Sequence, residues 1–435
     1  MPCFRGGCGL AGETSKMISE QPVEAYVWVW QPGVIEPVVA GRLEARGDII
    51  VFNYGRSYLG RDDAVPIYLP ELPLRPGLIP PLSGLTLPGC INDASPDAWG
   101  QRVIMQHLLG AGGDTSTDAA ALHPLTYLLS SGSDRIGALD FQVSADKYIS
   151  REEDSRATLG ELLQAADKVD HRIPLPPALD RALLHGSSVG GARPKALLRD
   201  EGRKLIAKFS STTDPYSIVK GEYVAMELAR RAGVDAARVE FQDVLGKDVL
   251  LVERFDRVPR TEARRGIVSA LTMLELDEMF ARYASYADLA QIVRERFRDA
   301  PNTLRELFAR ITFNILVGNN DDHARNHAAF WDGTALTLTP AYDICPQPRA
   351  GGETAQAMAI APDGYRMSQV AGCVAAASTY LLTSAGARGI IDNQIEMIES
   401  HWNEVCDAAR LTAVERAYFW GRQFLNPYAL EGYIV

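Results

Sequence analysis

Gly318-Asn319-Asn320-Asp321-Asp322-His323-Ala324-Arg325-Asn326-His327, with Leu338-Thr339-Pro340-Ala341-Tyr342-Asp343-Ile344 a short way downstream, is the stretch on which the reading of this chain turns. Apolar periodicity predicts a helix over 302–317 that delivers the polar run, and a short strand around 336–339 that delivers Asp343. Two Asp, two His, one Arg and three Asn within ten residues are too concentrated for a solvated helix end. The spacing Asp321-x4-Asn326 with Asp343 downstream is what phosphoryl transfer from ATP to a hydroxyl needs. One aspartate accepts the hydroxyl proton, while the asparagine and the later aspartate offer hard oxygens to Mg²⁺. A rival arrangement uses His323 and His327 at i, i+4 with Asp321 or Asp322 as the ligands of a metal hydrolase. It requires a helix through 323–327 and leaves the features below without a role.

Three features lie upstream. Residues 187–195, Ser187-Ser188-Val189-Gly190-Gly191-Ala192-Arg193-Pro194-Lys195, form a glycine-containing segment leading into a strand. Glycine lets backbone N–H groups approach phosphate oxygens, although a plain surface turn has the same composition. Lys208 stands in the strand Leu205-Ile206-Ala207-Lys208-Phe209, across a hairpin turn at 200–202, where a lysine can hold α- and β-phosphates. Glu222, on the following helix, is its candidate partner. Val252-Glu253-Arg254-Phe255-Asp256-Arg257 ends an apolar strand at a boundary where backbone groups can meet an adenine edge.

Residues 23–58 are expected as strands, with an alternating run over 23–31 and an apolar run over 49–54, then a proline-rich connection, a helix opened by Ser95-Pro96-Asp97 and stopped by the glycines at 110–113, and a helix near 159–169. Hairpins are expected at 196–209 and 239–255 around a helix at 222–232. Helices follow at 271–283, 286–298, 302–317, 389–409 and 412–424. The fold class is therefore α+β, with a β-containing N-terminal part, a small β-rich unit and a larger helical one.

The 435 residues carry 44 Lys+Arg against 55 Asp+Glu, a net charge of −11, with 46% hydrophobic and 23% charged residues. That composition excludes long disorder and fibrous repeats, and the acidic balance argues against a chain that coats nucleic acid with its whole surface. The six cysteines, at 3, 8, 90, 345, 373 and 406, form no Cys-x-x-Cys pair and suggest reduced thiols in a cytoplasm. Residues 1–21 lack the apolar core of a signal peptide and read as a flexible extension. The uncharged run 368–387 is too rich in Ala, Gly, Ser and Thr for a membrane span and reads as buried helix, so no membrane is expected.

Taken together these segments resemble the HipA family of serine/threonine kinases, toxin components of bacterial toxin–antitoxin pairs. The resemblance covers about residues 23–412. It rests on Asp93-Ala94-Ser95-Pro96-Asp97-Ala98-Trp99-Gly100 and Asp134-Arg135-Ile136-Gly137-Ala138-Leu139 in the first part, and on the glycine segment, Glu253-Arg254-Phe255-Asp256-Arg257, the run from Asn320 to Asn326 and Thr339-Pro340-Ala341-Tyr342-Asp343-Ile344 in the second. It implies a protein-kinase-like two-lobed core with an N-terminal mixed β/α subdomain: a subdomain at 22–175, a small nucleotide lobe at 176–258 and a helical catalytic lobe at 259–435.

By resemblance Asp321 is the catalytic base, and Asn326 and Asp343 are the Mg²⁺ ligands. Gly190, Gly191, Ala192, Arg193, Lys195, Lys208, Glu253, Phe255, His323 and Tyr342 surround ATP. Ser188 is the site of an autophosphorylation that silences the kinase, with Ser187 beside it as a second acceptor. Pro194 removes one backbone donor from the loop. The implied partners are a HipB-like helix-turn-helix antitoxin, a protein substrate such as an aminoacyl-tRNA synthetase, and operator DNA reached chiefly through the antitoxin. The alternative is a kinase-fold co-repressor with weak or absent catalysis that acts by binding its antitoxin on DNA.

Overall fold

The computed structural model describes residues 21–109, 122–151, 157–211, 214–348 and 352–433. Most of the extension at 1–21, the helix stop at 110–113, Cys3 and Cys8 lie outside the described residues. The chain divides into two compact units, Met1–Leu198 with Thr261–Arg264, and Arg199–Arg260 with Arg265–Val435.

In the first unit, β1 (Glu24–Val29), β2 (Val38–Arg46), β3 (Ile49–Tyr54) and β4 (Leu139–Gln142) form an antiparallel sheet in the order β3-β2-β1-β4. Strands β2 and β4 were not singled out by sequence pattern. β2 hides behind its charges, since Arg42 pairs with Glu24 and Glu44 at 2.9 and 3.2 Å on the open face. Its Gly41 is required by close approach, because a Cβ there would lie 2.3 Å from the Asn53 carbonyl oxygen. β4 is buried throughout and carries Asp140, which accepts from Ser133 Oγ (2.7 Å), Arg135 Nε (2.9 Å) and Arg151 Nη2 (2.6 Å). The Asp134–Leu139 motif is thus a packing device, with Arg135 fully buried and also bonded to the Ala94 carbonyl at 3.1 Å. Trp28 and Trp30 pack on Tyr148, with ring centroids 5.5 and 5.4 Å away. Arg264 lays its guanidinium 3.5 Å from the Trp30 ring centroid and donates to the Ser133 carbonyl at 2.7 Å, which is why Thr261–Arg264 belongs to this unit.

Helix α1 spans Ala98–Leu109 and begins two residues later than Ser95-Pro96-Asp97 suggested, because the Asp97 side chain is engaged elsewhere. Helix α2, Leu159–Asp170, opens with a capping box between Thr158 and Glu161.

In the second unit, β5, which runs from Lys195, ends at Asp200, and the chain turns through Glu201 (φ 47°) and Gly202 (φ 80°) into β6 (Arg203–Phe209). β6 pairs antiparallel with β8 (Lys247–Glu253), and β8 pairs antiparallel with β7 (Val239–Val244). Leu245 (φ 54°) and Gly246 (φ 75°) close the β7–β8 hairpin in the left-handed conformation that matches strand twist. Helix α3 (Ile218–Arg231) buries Val224, Ala225, Leu228 and Ala229. The helical part contains α4 (Tyr286–Arg296), α5 (Ala300–Leu316), α6 (Ser384–Ala408) and α7 (Ala413–Phe419). A small sheet of β9 (Gly266–Ser269), β10 (Ala328–Trp331) and β11 (Leu336–Leu338), in the order β11-β10-β9, brackets the polar run.

The helix expected over 271–283 is corrected to one α-helical turn, Ala270–Met273, and a separate six-residue 3₁₀ segment, Glu278–Tyr283. Glu275 takes φ 58°, and the Asp277 carboxylate accepts from Met279 N at 2.9 Å, restarting the backbone after the break. Among the described residues no helix is long and apolar enough to cross a membrane. Part of the uncharged stretch at 368–387 forms the helix Val370–Ala375 and a 3₁₀ turn, Ala377–Tyr380.

Glu415 ties α7 to the start of α3. Its carboxylate accepts from the Ser217 hydroxyl, from Thr412 N at 2.7 Å and from Lys220 Nζ at 3.2 Å. Burial alone would raise its pKa, but these partners outweigh it and bring it down to about 2. A carboxylate depressed in the folded state stabilises above its unfolded pKa and loses that contribution as pH falls through the folded value. The melting-temperature gap between wild type and Glu415→Gln is therefore expected at neutral pH, narrowing below roughly pH 4.5 and closing near pH 2. A gap unchanged by pH would contradict this account.

Candidate active site

The polar run leaves α5 through Gly318, whose φ of 73° ends the helix and whose Cα faces Gln423 too closely for a side chain. Asn319 N then bonds back to the Asn314 carbonyl at 2.8 Å. Within the run, His323 N donates to the Asp321 carbonyl (2.9 Å), Asn326 N to the His323 carbonyl (2.9 Å) and Asn326 Nδ2 to the Asp321 carbonyl (3.4 Å). The segment is a knotted turn, with Ala324–Asn326 a single 3₁₀ turn between extended His323 and His327. That corrects the hydrolase arrangement, which needed an α-helix here. Among the described residues no three His, Cys, Asp or Glu side chains are grouped to hold a metal ion.

Asp322 organises this turn from inside. Its Oδ2 accepts from Tyr286 Oη (2.5 Å), Asn314 Nδ2 (2.7 Å) and His327 Nε2 (3.0 Å). Burial of Asp322 opposes its ionisation, yet His327 and Tyr286 outweigh that and hold its pKa below the ordinary carboxylate value. Tyr286 and Asn314 were not foreseen. Each is buried on the inner side of its helix, and the one signal was Asn314 standing among the buried residues of α5.

Asp321 itself faces solvent, and its carboxylate accepts no hydrogen bond among the described residues. Desolvation on its inner side raises its pKa, as do Asp343 and Asp322, against the pull of His323. A raised pKa suits a group that must take a proton from a hydroxyl. Asn326 is buried and turns its amide N–H₂ toward Asp321, leaving its oxygen without a donor among the described residues.

Lys208 Nζ lies 2.5 Å from Glu222 Oε1 and 2.5 Å from Asp343 Oδ1. Burial disfavours the ammonium, but the two carboxylates outweigh it and raise its pKa above the ordinary lysine value. Asp343 takes the left-handed conformation, φ 60°, which turns its side chain out of the extended chain ahead of it. That chain is anchored by Arg310, buried in α5, which donates to the Thr339 carbonyl at 2.8 Å and the Asp235 carbonyl at 3.1 Å. Tyr342 Oη donates to the Arg325 carbonyl at 2.7 Å, and the Tyr342 ring lies 5.6 Å from Phe255. At the end of β8, Glu253 N is committed to the Arg238 carbonyl (2.9 Å), whereas Phe255 N–H donates no hydrogen bond among the described residues. Between them Arg254 is buried and paired with Asp256 at 2.7 Å, which fixes the strand exit. Lys208, Glu222, Asp321, Asn326, Asp343, Tyr342 and Phe255 are thus held close together in the second unit through these contacts. The Nδ1 of His323 is buried without a partner among the described residues.

The glycine segment at 187–195 lies in the first unit. Gly191 has φ 101°, a conformation that favours glycine. The Lys195 amine folds back onto the Gly190 carbonyl. Ser187 and Ser188 are both buried; Ser187 Oγ donates to the Leu184 carbonyl at 2.7 Å, and Ser188 Oγ has no partner among the described residues.

A small β-rich lobe with a lysine–glutamate pair, beside a helical lobe carrying an Asp-x4-Asn turn and a later aspartate, is the architecture of a two-lobed kinase fold. A family model described as the HipA-like C-terminal domain matches residues 187–402, another described as the HipA N-terminal domain matches residues 27–142, and the chain belongs to the HipA family. Among curated relatives, Y4mE of Sinorhizobium fredii is 31% identical over 150 residues, 32% of this chain and 33% of that protein. The serine/threonine-protein kinase toxin HipA of Shewanella oneidensis is 26% identical over 211 residues, 41% of this chain and 48% of that protein. The chain spans between a third and a half of the length of these two relatives. The solved Shewanella oneidensis HipA, in complex with HipB and operator DNA, shares the fold with a TM-score of 0.65 at 19% identity, over 92% of this chain and 99% of that one.

Proposed function

We infer that the chain is an ATP- and Mg²⁺-dependent serine/threonine protein kinase, acting in the cytoplasm as the toxin of a toxin–antitoxin pair. The observation that carries this is the Lys208 ammonium shared between Glu222 and Asp343, beside solvent-facing Asp321 and the uncommitted oxygen of Asn326. Asp321 takes the proton of the attacking hydroxyl. Lys208 holds the α- and β-phosphates, Phe255 N–H and the backbone near Glu253 meet the adenine, and His323 and Tyr342 flank the nucleotide. Asn326 and Asp343 supply hard oxygens for Mg²⁺, which when bound neutralises charge on the phosphates. Gly190, Gly191, Ala192, Arg193 and Lys195 form the phosphate loop. A HipB-like antitoxin, reaching operator DNA on the chain's behalf, fits an acidic protein of net charge −11. The substrate is a translation protein such as an aminoacyl-tRNA synthetase.

Burial of Ser188 supports the self-silencing reading. A phosphate of close to two negative charges does not fit where Ser188 Oγ is buried with no hydrogen-bond partner among the described residues, so a phosphorylated loop cannot return to this conformation. Purified protein incubated with labelled ATP and Mg²⁺ is expected to transfer phosphate to itself and to proteins of a bacterial lysate. Mass spectrometry should locate the self-label on Ser188, or on Ser187 beside it. Absence of transfer, with growth unaffected by expression without the antitoxin, would favour the co-repressor.

A further inference from the structure

The motif Asp93–Gly100 finds its use within the first unit, where the start of α1 grips the glycine segment. Asp97 Oδ2 accepts from Gly191 N at 2.5 Å, and Trp99 N donates to the Gly191 carbonyl at 3.3 Å. Trp99, fully buried, donates from its indole Nε1 to the Lys195 carbonyl at 2.9 Å. Arg102 Nη2 reaches the Ala192 carbonyl at 2.7 Å from a side chain half exposed to solvent. Gly100 sits against the loop's first residue so closely that a Cβ would lie 1.7 Å from the Ser187 carbonyl oxygen. Three side chains and one glycine contact thus span the segment from Ser187 to Lys195. Both backbone groups of Gly191 are taken, and beneath this hold Ser188 is buried with its hydroxyl unpaired among the described residues.

We propose that Asp97, Trp99 and Arg102 form a latch that keeps the glycine loop closed over Ser188, and that opening this latch limits the rate at which Ser188 is phosphorylated. The proposal rests on the kinase reading. In the transfer, Ser188 Oγ bonds to the γ-phosphorus as the bond to the β–γ bridging oxygen breaks. ADP leaves, and the hydroxyl proton passes to the Asp321 carboxylate of the transferring chain. A hydroxyl buried without exposure cannot enter that geometry until the loop lets go. Opening breaks the charge-assisted bond to Asp97, the strongest type in the set, and exposes the remaining three partners.

The test uses the full chain and three variants, Asp97→Ala, Arg102→Ala and Gly100→Ala. The last keeps every hydrogen-bonding group and only drives a methyl into Ser187. Hydrogen exchange of the 190–195 amides without nucleotide reads the latch. Phosphate on Ser188 at saturating ATP and Mg²⁺ reads the rate, and a fluorescent ATP analogue reads nucleotide affinity. Asp97→Ala and Gly100→Ala are expected to raise both exchange and Ser188 phosphorylation by about tenfold or more, and Arg102→Ala by a smaller factor, with nucleotide affinity kept. Unchanged exchange would overturn the latch. Faster exchange with Ser188 phosphorylation within twofold of wild type would overturn its control of the rate, as would loss of nucleotide binding in the variants. Faster exchange with no phosphate on any protein, wild type included, would instead overturn the kinase reading and the rate claim with it, while the hold of α1 on the loop stands measured by exchange alone.

Discussion

Asp321→Asn is expected to lower phosphoryl transfer by about 10²- to 10⁴-fold, the usual contribution of a positioned general base. The substitution keeps size and shape and removes the negative charge together with the capacity to take a proton. Since the Asp321 carboxylate faces solvent and accepts no hydrogen bond among the described residues, the fold and nucleotide affinity should hold. The hydrogen bonds that shape the turn use the Asp321 backbone carbonyl, which the variant retains. Rates of label transfer at saturating ATP, set beside nucleotide affinity and melting temperature, decide the matter. A variant within tenfold of wild type would remove Asp321 from the role of base.

One position along, the expected effect is on stability. Asp322→Ala strands two buried donors, Asn314 Nδ2 and His327 Nε2, and leaves Tyr286 Oη only the Asp322 backbone carbonyl at 3.2 Å; all three now lie within 3.0 Å of the carboxylate. A buried polar group left without its partner costs about 1–3 kcal/mol, so the variant should lose roughly 3 kcal/mol or more of unfolding free energy. Tyr286→Phe removes one donor and leaves two, and should cost only about 1 kcal/mol. Urea denaturation of both variants gives the comparison. Equal and small losses would show that Asp322 is not the centre of the network. Adjacent aspartates are thus expected to fail in opposite ways, one in rate and one in folding, because one faces water and the other faces Tyr286.

This contrast also marks where sequence reading reaches and where it stops. That Asp321, Asn326 and Asp343 come together was legible because so many polar residues at one spacing have no cheap structural explanation. The Lys208–Glu222 pair was legible because a strand lysine and a helix glutamate in succession suggest each other. Nothing local separates Asp321 from Asp322, however; what draws Asp322 inward is Tyr286 and Asn314, which come from two different helices. The same limit misplaced the helix over 271–283, where apolar spacing is adequate but Glu275 turns left-handed and Asp277 caps its own turn. Asp97 read as an early acid of a helix, and its partner proved to be Gly191, 94 residues further on. β4 is four residues long and buried on both faces, so it has no alternation to detect.

The insertion of Thr261–Arg264 into the first unit has a consequence for synthesis. Among the described residues, Trp30 receives its guanidinium cover, and the Ser133 carbonyl its side-chain donor, only from Arg264. Between the end of that unit's main stretch at Leu198 and Arg264 lie 65 residues, which include β6, β7 and β8. At roughly 5–20 residues per second, the N-terminal unit waits on the ribosome for about 3–13 seconds with its tryptophan edge unfinished. Its completion is thereby timed to the emergence of the whole small β-rich sheet, and no single cut in the chain releases it intact.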